Sequence, residues 1–203
     1  MSTEQTVTNE EHKKPSRKEQ ILQSLATILE QNPGERITTA GLAKHVGVSE
    51  AALYRHFPSK AKMFEALIEF IENTIFPRIN QIMNEEMEED KRCEKILGLI
   101  LTFCEHNPGI TRILTGEPLA GETERLRQRV TQLFDRIEAQ LRQIIREMPI
   151  RGQQKSSTDP VVAANLLLSL AEGRIGQYVR SDFERKPTTE WDAQWQVVRE
   201  GLF

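Results

Sequence analysis

From Ser16 onward, apolar residues recur along the chain at helical spacing. Ile21, Leu22, Leu25, Ile28 and Leu29 fall at i, i+1, i+4, i+7 and i+8 and form one stripe. Asn32-Pro33-Gly34 predicts its end. Thr38 or Thr39 can cap a short helix that carries Leu42, Ala43 and Val46, with Gly47 suited to the left-handed turn after it. Ser49 caps a second short helix that Pro58 closes. Ser59 caps a long one with Phe64, Leu67, Ile68, Ile71 and Ile75 on its apolar side, and Pro77 is expected to kink or interrupt it.

Downstream, Glu85, Glu86, Glu88, Glu89 and Asp90 read as a solvated corner between helices. Residues Ile96 to Phe103 predict a buried helix stopping at a loop, Asn107-Pro108-Gly109. A short helix through Ile113 ends near Gly116, and a long amphipathic helix runs from about Glu122 to Met148. A polar loop reaches Ser157. Asp159-Pro160 opens a further helix, Lys186-Pro187-Thr188 breaks it, and a last helix carries Trp191, Trp195 and Val198. No stretch alternates like a strand and no repeat is visible. The expected fold is all-α, with about nine helices.

Composition adds little to this until charge is followed along the chain. Hydrophobic residues make up 38% and charged residues 28% of 203 positions, ordinary for a globular chain with a real core. No apolar run reaches the roughly 18 residues of a membrane span. The first eleven residues hold Glu4, Glu10 and Glu11 and no base, unlike a signal or transit peptide, so the expected compartment is the cytoplasm. The formal net charge is −3. Residues 12–62 nevertheless hold nine lysines and arginines against four acids, a surplus of five. A basic quarter ahead of an acidic remainder points to one end that meets a polyanion.

Catalysis and metal binding find no support. Cys93 and Cys104 on one helix would lie about 16 Å apart along its axis, too far to bond to each other or share a metal. His12, His45, His56 and His106 do not cluster with them, and there is no glycine-rich phosphate loop or nucleophile motif. No cofactor is expected.

The informative stretch is GVSEAALYRHFPSK at Gly47–Lys60. On a helix from Ser49 to Phe57, Leu53 and Phe57 mark the inward side. Ala51, Ala52 and Arg55 then face outward, with Tyr54 and His56 on the flanks. A helix this short is not stable alone, so the preceding one must hold it through Leu42, Val46 and Val48. Two short helices joined by a glycine turn make a helix-turn-helix whose second member is placed for a DNA major groove. The alanines let the backbone approach base edges and touch thymine methyls. Arg55 can reach a guanine or a phosphate. Tyr54, His56 and Lys60 suit phosphate oxygens, as do the N-terminus and hydroxyls at Thr38-Thr39. Arg17 and Ser49 complete the expected DNA-binding set.

The segment ITTAGLAKHVGVSEAALYRHFPSK resembles the DNA-binding part of the Tet-repressor family, through the pattern G-V-S-x-x-x-L-Y-x-H-F-x-x-K. The resemblance implies three N-terminal DNA-binding helices, a linking fourth, and an all-α C-terminal domain. That domain dimerises through the last two long helices, here about 159–182 and 189–202. Residues 1–15 would be a flexible tail, 16–58 the DNA-binding domain, and 59–203 the dimerisation and partner-binding domain. EQILQSLATILE, LIEFIE, NPGITRILTGE, QLFDRIEAQLRQ and VRSDF extend the likeness to a branch of the family that acts in cell division. This implies a homodimer on dispersed, palindromic-type chromosomal sites that contacts the tubulin-like protein FtsZ and blocks septum assembly over the nucleoid. Exposed apolar and cationic groups would serve that partner. Arg78 just past Pro77, Phe70 off the dense stripe of its helix, Leu99, and Asn107 in its loop are the candidates. The alternative on the same fold is a ligand-responsive repressor of a neighbouring efflux or metabolic gene. Between residues 90 and 180 the only aromatics are Phe103, Phe134 and Tyr178, which favours a packed domain over a ligand pocket.

Overall fold

The computed structural model describes residues 15–148 and 158–203; the expected N-terminal tail, save Pro15, and the loop at 149–157 lie outside them. Among the described residues there are nine α-helices and no strand. They are α1 (Arg17–Gln31), α2 (Thr39–Val46), α3 (Glu50–His56), α4 (Lys60–Glu85), α5 (Glu89–His106), α6 (Pro108–Leu114), α7 (Glu124–Glu147), α8 (Pro160–Arg180) and α9 (Trp191–Leu202). A 3₁₀ turn, Glu117–Leu119, separates α6 from α7.

Local signals set most boundaries. Ser16 and Glu19 form a reciprocal capping box at the start of α1. The Ser59 hydroxyl accepts from the Lys62 amide at the start of α4, and the Asp159 carboxylate from the Val161 amide at α8, whose first residue is Pro160. The core runs from α1 to α9 without a break. α5 is its axis: Cys93, Ile96, Leu97, Ile100, Leu101 and Cys104 are all buried, and α4, α7, α8 and α9 pack around it.

Three sequence expectations fail here. First, of the kink or break expected at Pro77, the break does not occur, and α4 runs on through it. Proline removes one amide donor, but Ile71, Ile75 and Ile79 are fully buried on both sides of it, and that packing outweighs one missing bond. Secondly, the acidic corner is only partly solvated. Glu89 and Asp90 are buried, and α9 returns over the start of α5, where Arg199 pairs with Asp90 at 2.6 Å. Thirdly, Asn107-Pro108-Gly109 is not a loop. Asn107 alone separates two helices, Pro108 is the first residue of α6, and Gly109 lies within it. That glycine faces α1 so closely that a Cβ there would sit 1.9 Å from the Ala26 carbonyl oxygen.

Candidate nucleic-acid interface

Helices α2 and α3 are short because their caps are close together. The Thr38 hydroxyl accepts from the Gly41 amide, so Thr38 rather than Thr39 caps α2. Gly47 takes φ 74°, and the Val48 amide returns to the Ala43 carbonyl at 2.9 Å. Two residues later the Ser49 hydroxyl accepts from the Ala52 amide and starts α3. Leu53 and Phe57 are buried with Leu42, Ala43, Ile21, Leu25 and Leu29. Burial of each large side chain contributes about 2 kcal/mol, enough to hold a seven-residue helix that would not form alone.

With that side buried, the opposite face of α3 is open. Ala51, Tyr54 and Arg55 are exposed, and Ala52 and His56 are half-buried along its edges. Ser49 and Thr38 are exposed at the starts of α3 and α2, and Arg17 is exposed at the start of α1, donating to the Gln20 side chain at 2.7 Å. The open face of α3 thus presents the small Ala51 between the hydrogen-bonding groups of Tyr54 and Arg55, with Ala52 at its edge rather than facing outward as its helical position predicted. That is what a helix entering a major groove requires.

Two details lay beyond sequence reading. Thr39 donates to the Glu50 carboxylate at 2.9 Å, and the Tyr54 hydroxyl donates to Thr39 at 3.4 Å. The tyrosine is therefore braced across the two helices. Lys60, expected to suit a phosphate oxygen, already has protein partners. Its ammonium donates to the Ile37 carbonyl at 3.0 Å and lies 2.5 Å from the Glu122 carboxylate. Both partners are distant in sequence, so no local signal could have shown this.

The expected partner residues fall on the α4–α5 hairpin. Phe70 is 46% exposed on α4, and its ring lies 6.2 Å from that of Phe103 on α5. Leu99 and Phe103 follow one another at i and i+4 on α5, and Asn107 caps its C-terminal end. Leu99 and Asn107 are half-buried, and the Asn107 amide donates to the Phe103 carbonyl at 2.8 Å. Arg78 is exposed two turns beyond Phe70 on α4. Phe103 is the member of this group that sequence reading left out.

The chemistry elsewhere is inert. Burial pushes the Cys104 thiol up to about 12 and the Cys93 thiol higher still. Among the described residues no group of histidines, cysteines or acids could hold a metal ion, and no helix is long and apolar enough to cross a membrane.

Comparison with known proteins agrees with this layout. Residues 21–67 match the model for bacterial regulatory proteins of the tetR family, and residues 87–202 match that for the tetracyclin repressor-like C-terminal domain of SlmA-like proteins. The nucleoid occlusion factor SlmA of Idiomarina loihiensis is 59% identical over 189 residues, 93% of this chain and 96% of that protein. The protein of the same name from Shewanella baltica is 58% identical over the same shares. Among solved structures, the MbdR regulator of Azoarcus sp. CIB superposes with a TM-score of 0.79 at 19% identity, covering 93% of this chain and all of that one. The fatty acid degradation regulator FadR of Bacillus halodurans superposes at 0.77 and 17% identity, over 94% and 98%. These structures share the fold; the sequence relatives share both domains. The TetR-type helix-turn-helix, the all-helical C-terminal domain and the identity across nearly the whole length mark a non-enzymatic DNA-binding regulator, and the chain belongs to the SlmA family of nucleoid occlusion factors.

Proposed function

We propose that this protein binds palindromic-type DNA sites as a homodimer, associates with the nucleoid in the cytoplasm and, when bound, contacts FtsZ and blocks septal ring assembly there. Residues 16–58 are the DNA-binding domain in this reading, and residues 59–203 carry dimerisation and partner binding. Ala51, Ala52 and Arg55 meet base edges, while Arg17, Thr38, Thr39, Ser49, Tyr54, His56 and Lys60 meet the backbone. One observation carries the reading: identity to the nucleoid occlusion factors continues through the C-terminal domain instead of stopping at the helix-turn-helix.

The dimer would form on α8 and α9. Val162, Leu166 and Val197 are exposed there, around an apolar groove of about 260 Å³ shared with Leu170 and Val198. FtsZ would meet Phe70, Leu99, Asn107 and Arg78 on the α4–α5 hairpin, an acidic-hydrophobic segment pairing its carboxylate with the arginine. If DNA presents that surface correctly, linkage requires FtsZ to tighten DNA binding by the same factor.

The test is a chromosome-wide map of occupancy in growing cells, followed by FtsZ binding with and without the mapped DNA. Many dispersed sites and tighter FtsZ binding on DNA support the reading. Equal FtsZ affinity in both conditions sinks the coupling. Occupancy of one or two promoters would favour the ligand-responsive repressor. That second reading has one observation behind it: a cavity of about 360 Å³ opens between α6, α7 and α8. Asp135, Glu138 and Glu172 line it, and burial with the Glu138 charge raises the Glu172 carboxyl above its usual range.

A further inference from the structure

The segment between α6 and α7 holds two acids that each grip a cation beside the DNA-binding helices. Glu117 takes the Arg112 guanidinium, which also donates to the Leu29 and Asn32 carbonyls at the end of α1. Glu122 takes the Lys60 ammonium at 2.5 Å. The two pairs differ in what the cation can do. Arg112 is buried at 2% exposure and fixed on several sides. Lys60 sits at the surface margin, its side chain 19% exposed, with the Ile37 carbonyl as its other acceptor.

Ile37 immediately precedes Thr38, the cap of α2. The Lys60 ammonium is therefore one residue from the helix N-terminus proposed to receive a phosphate. Its pairing, with an acid just ahead of α7, is also reversed in sense relative to the pairs between α4 and α7 themselves. There α4 supplies the acids and α7 the bases: Glu65 with Arg125 at 3.8 Å and Glu72 with Arg129 at 2.7 Å. At the DNA end α4 supplies the base.

We propose that Glu122, which lies outside the helix-turn-helix, sets DNA affinity by competing with a backbone phosphate for the Lys60 ammonium. Transfer of Lys60 to the phosphate then frees the segment leading into α7. A phosphate oxygen and a carboxylate oxygen are alternative acceptors for one flexible ammonium, so the two contacts are mutually exclusive in good geometry. The freed segment begins at Gly121, with φ +80°, and the Glu122 amide still donates to the Leu119 carbonyl at 3.0 Å. DNA occupancy would thus be felt in the C-terminal domain through one charge. The inference rests on the DNA-binding reading.

Glu122→Gln, Lys60→Gln and the double variant form the test, with affinities measured on a mapped site and on unrelated duplex over a range of salt. The wild-type protein is measured first; if it binds no DNA, the proposed function fails before this inference is reached. The expected result is that Glu122→Gln tightens binding to all sequences by roughly two- to fivefold, in the range of a modest ion pair. Lys60→Gln lowers the salt slope by about one. In the Lys60→Gln background, Glu122→Gln then has no effect. Removing any acid near DNA favours binding somewhat, so an equal gain in both backgrounds would overturn the proposal. Weaker binding by Glu122→Gln would also overturn it, because Glu122 would then be holding Lys60 in place. Hydrogen exchange gives an independent reading: DNA should speed exchange across residues 120–126 of the wild type, and unchanged or slower exchange there contradicts the release.

Discussion

The Arg112 guanidinium on α6 donates to the Asn32 carbonyl at 3.0 Å, where α1 has just ended. Asn32 belongs to the segment that presents α2, and Arg112 to the C-terminal domain. Arg112 also holds Glu117 and the Leu29 carbonyl. One buried side chain thus satisfies two backbone acceptors at a helix end and binds the two halves of the molecule together.

Arg112→Ala should therefore destabilise the fold by about 3 kcal/mol or more, because it leaves buried acceptors without a donor. Gly109→Ala tests the same junction without touching charge. The added methyl meets the Ala26 carbonyl and must push α6 off α1, at a cost of about 1–3 kcal/mol. Urea unfolding of both variants is the measurement; unchanged midpoints would show that the α1–α6 contact contributes nothing.

On the proposed DNA face, Arg55→Ala should weaken binding to the cognate site by about 1–3 kcal/mol. The salt dependence decides its role. If Arg55 reads a guanine, base preference relaxes at one position and the slope holds. If it neutralises a phosphate, preference holds and the slope falls by about one. Tyr54→Phe removes the hydroxyl that leans on Thr39 and should cost less, on the order of 1 kcal/mol.

The exposed valines and leucine of α8 and α9 give a test of dimerisation. Leu166→Asp places a charge in the apolar groove while leaving the buried side of α8, Leu167 and Leu168, untouched. In light scattering coupled to gel filtration, the wild type is expected at twice the chain mass and the variant at the chain mass. Binding to a full palindrome should fall with it, while binding to a half-site should not.

Cys93 and Cys104 predict a loss of stability in alkali. Burial raises both folded-state values, so the folded protein keeps these protons when the unfolded chain has lost them. The contribution is fully present below the unfolded value of about 8.5 and is lost as pH rises towards the folded ones, by about 1.4 kcal/mol per pH unit for each thiol. Urea midpoints at pH 8 and pH 10, compared with those of a Cys93→Ala, Cys104→Ala variant, check this. The thiols should also resist a thiol-reactive dye until the protein unfolds.

Much of the local structure of the proposed DNA-binding face was legible because its causes are local. Ser49, Ser59 and Gly47 act through bonds to residues a few positions away, so their types and spacing predict caps and turn directly. Leu53 and Phe57 mark the buried side by helical periodicity, and Ala51 and Arg55 follow as the open one.

The misjudged residues have their causes elsewhere in the chain. Pro77 should break a helix on local grounds, yet α4 continues because its isoleucines are packed on both sides. Asp90 looks solvated until α9, about a hundred residues later, folds back over it. Gly109 reads as a turn residue, whereas its role is to let α6 approach the backbone of α1. The pairing of Lys60 with Glu122 has its cause elsewhere in the chain as well. Nearest-neighbour hydrogen bonding and side-chain periodicity are properties of the chain at each point, so the order of residues was enough to specify the nine helices among the described residues and the buried side of α3. Burial and ion pairing depend on which distant segment arrives alongside. That arrival is settled by packing the whole core at once, and it alone determined which charges on this chain remain open to a partner.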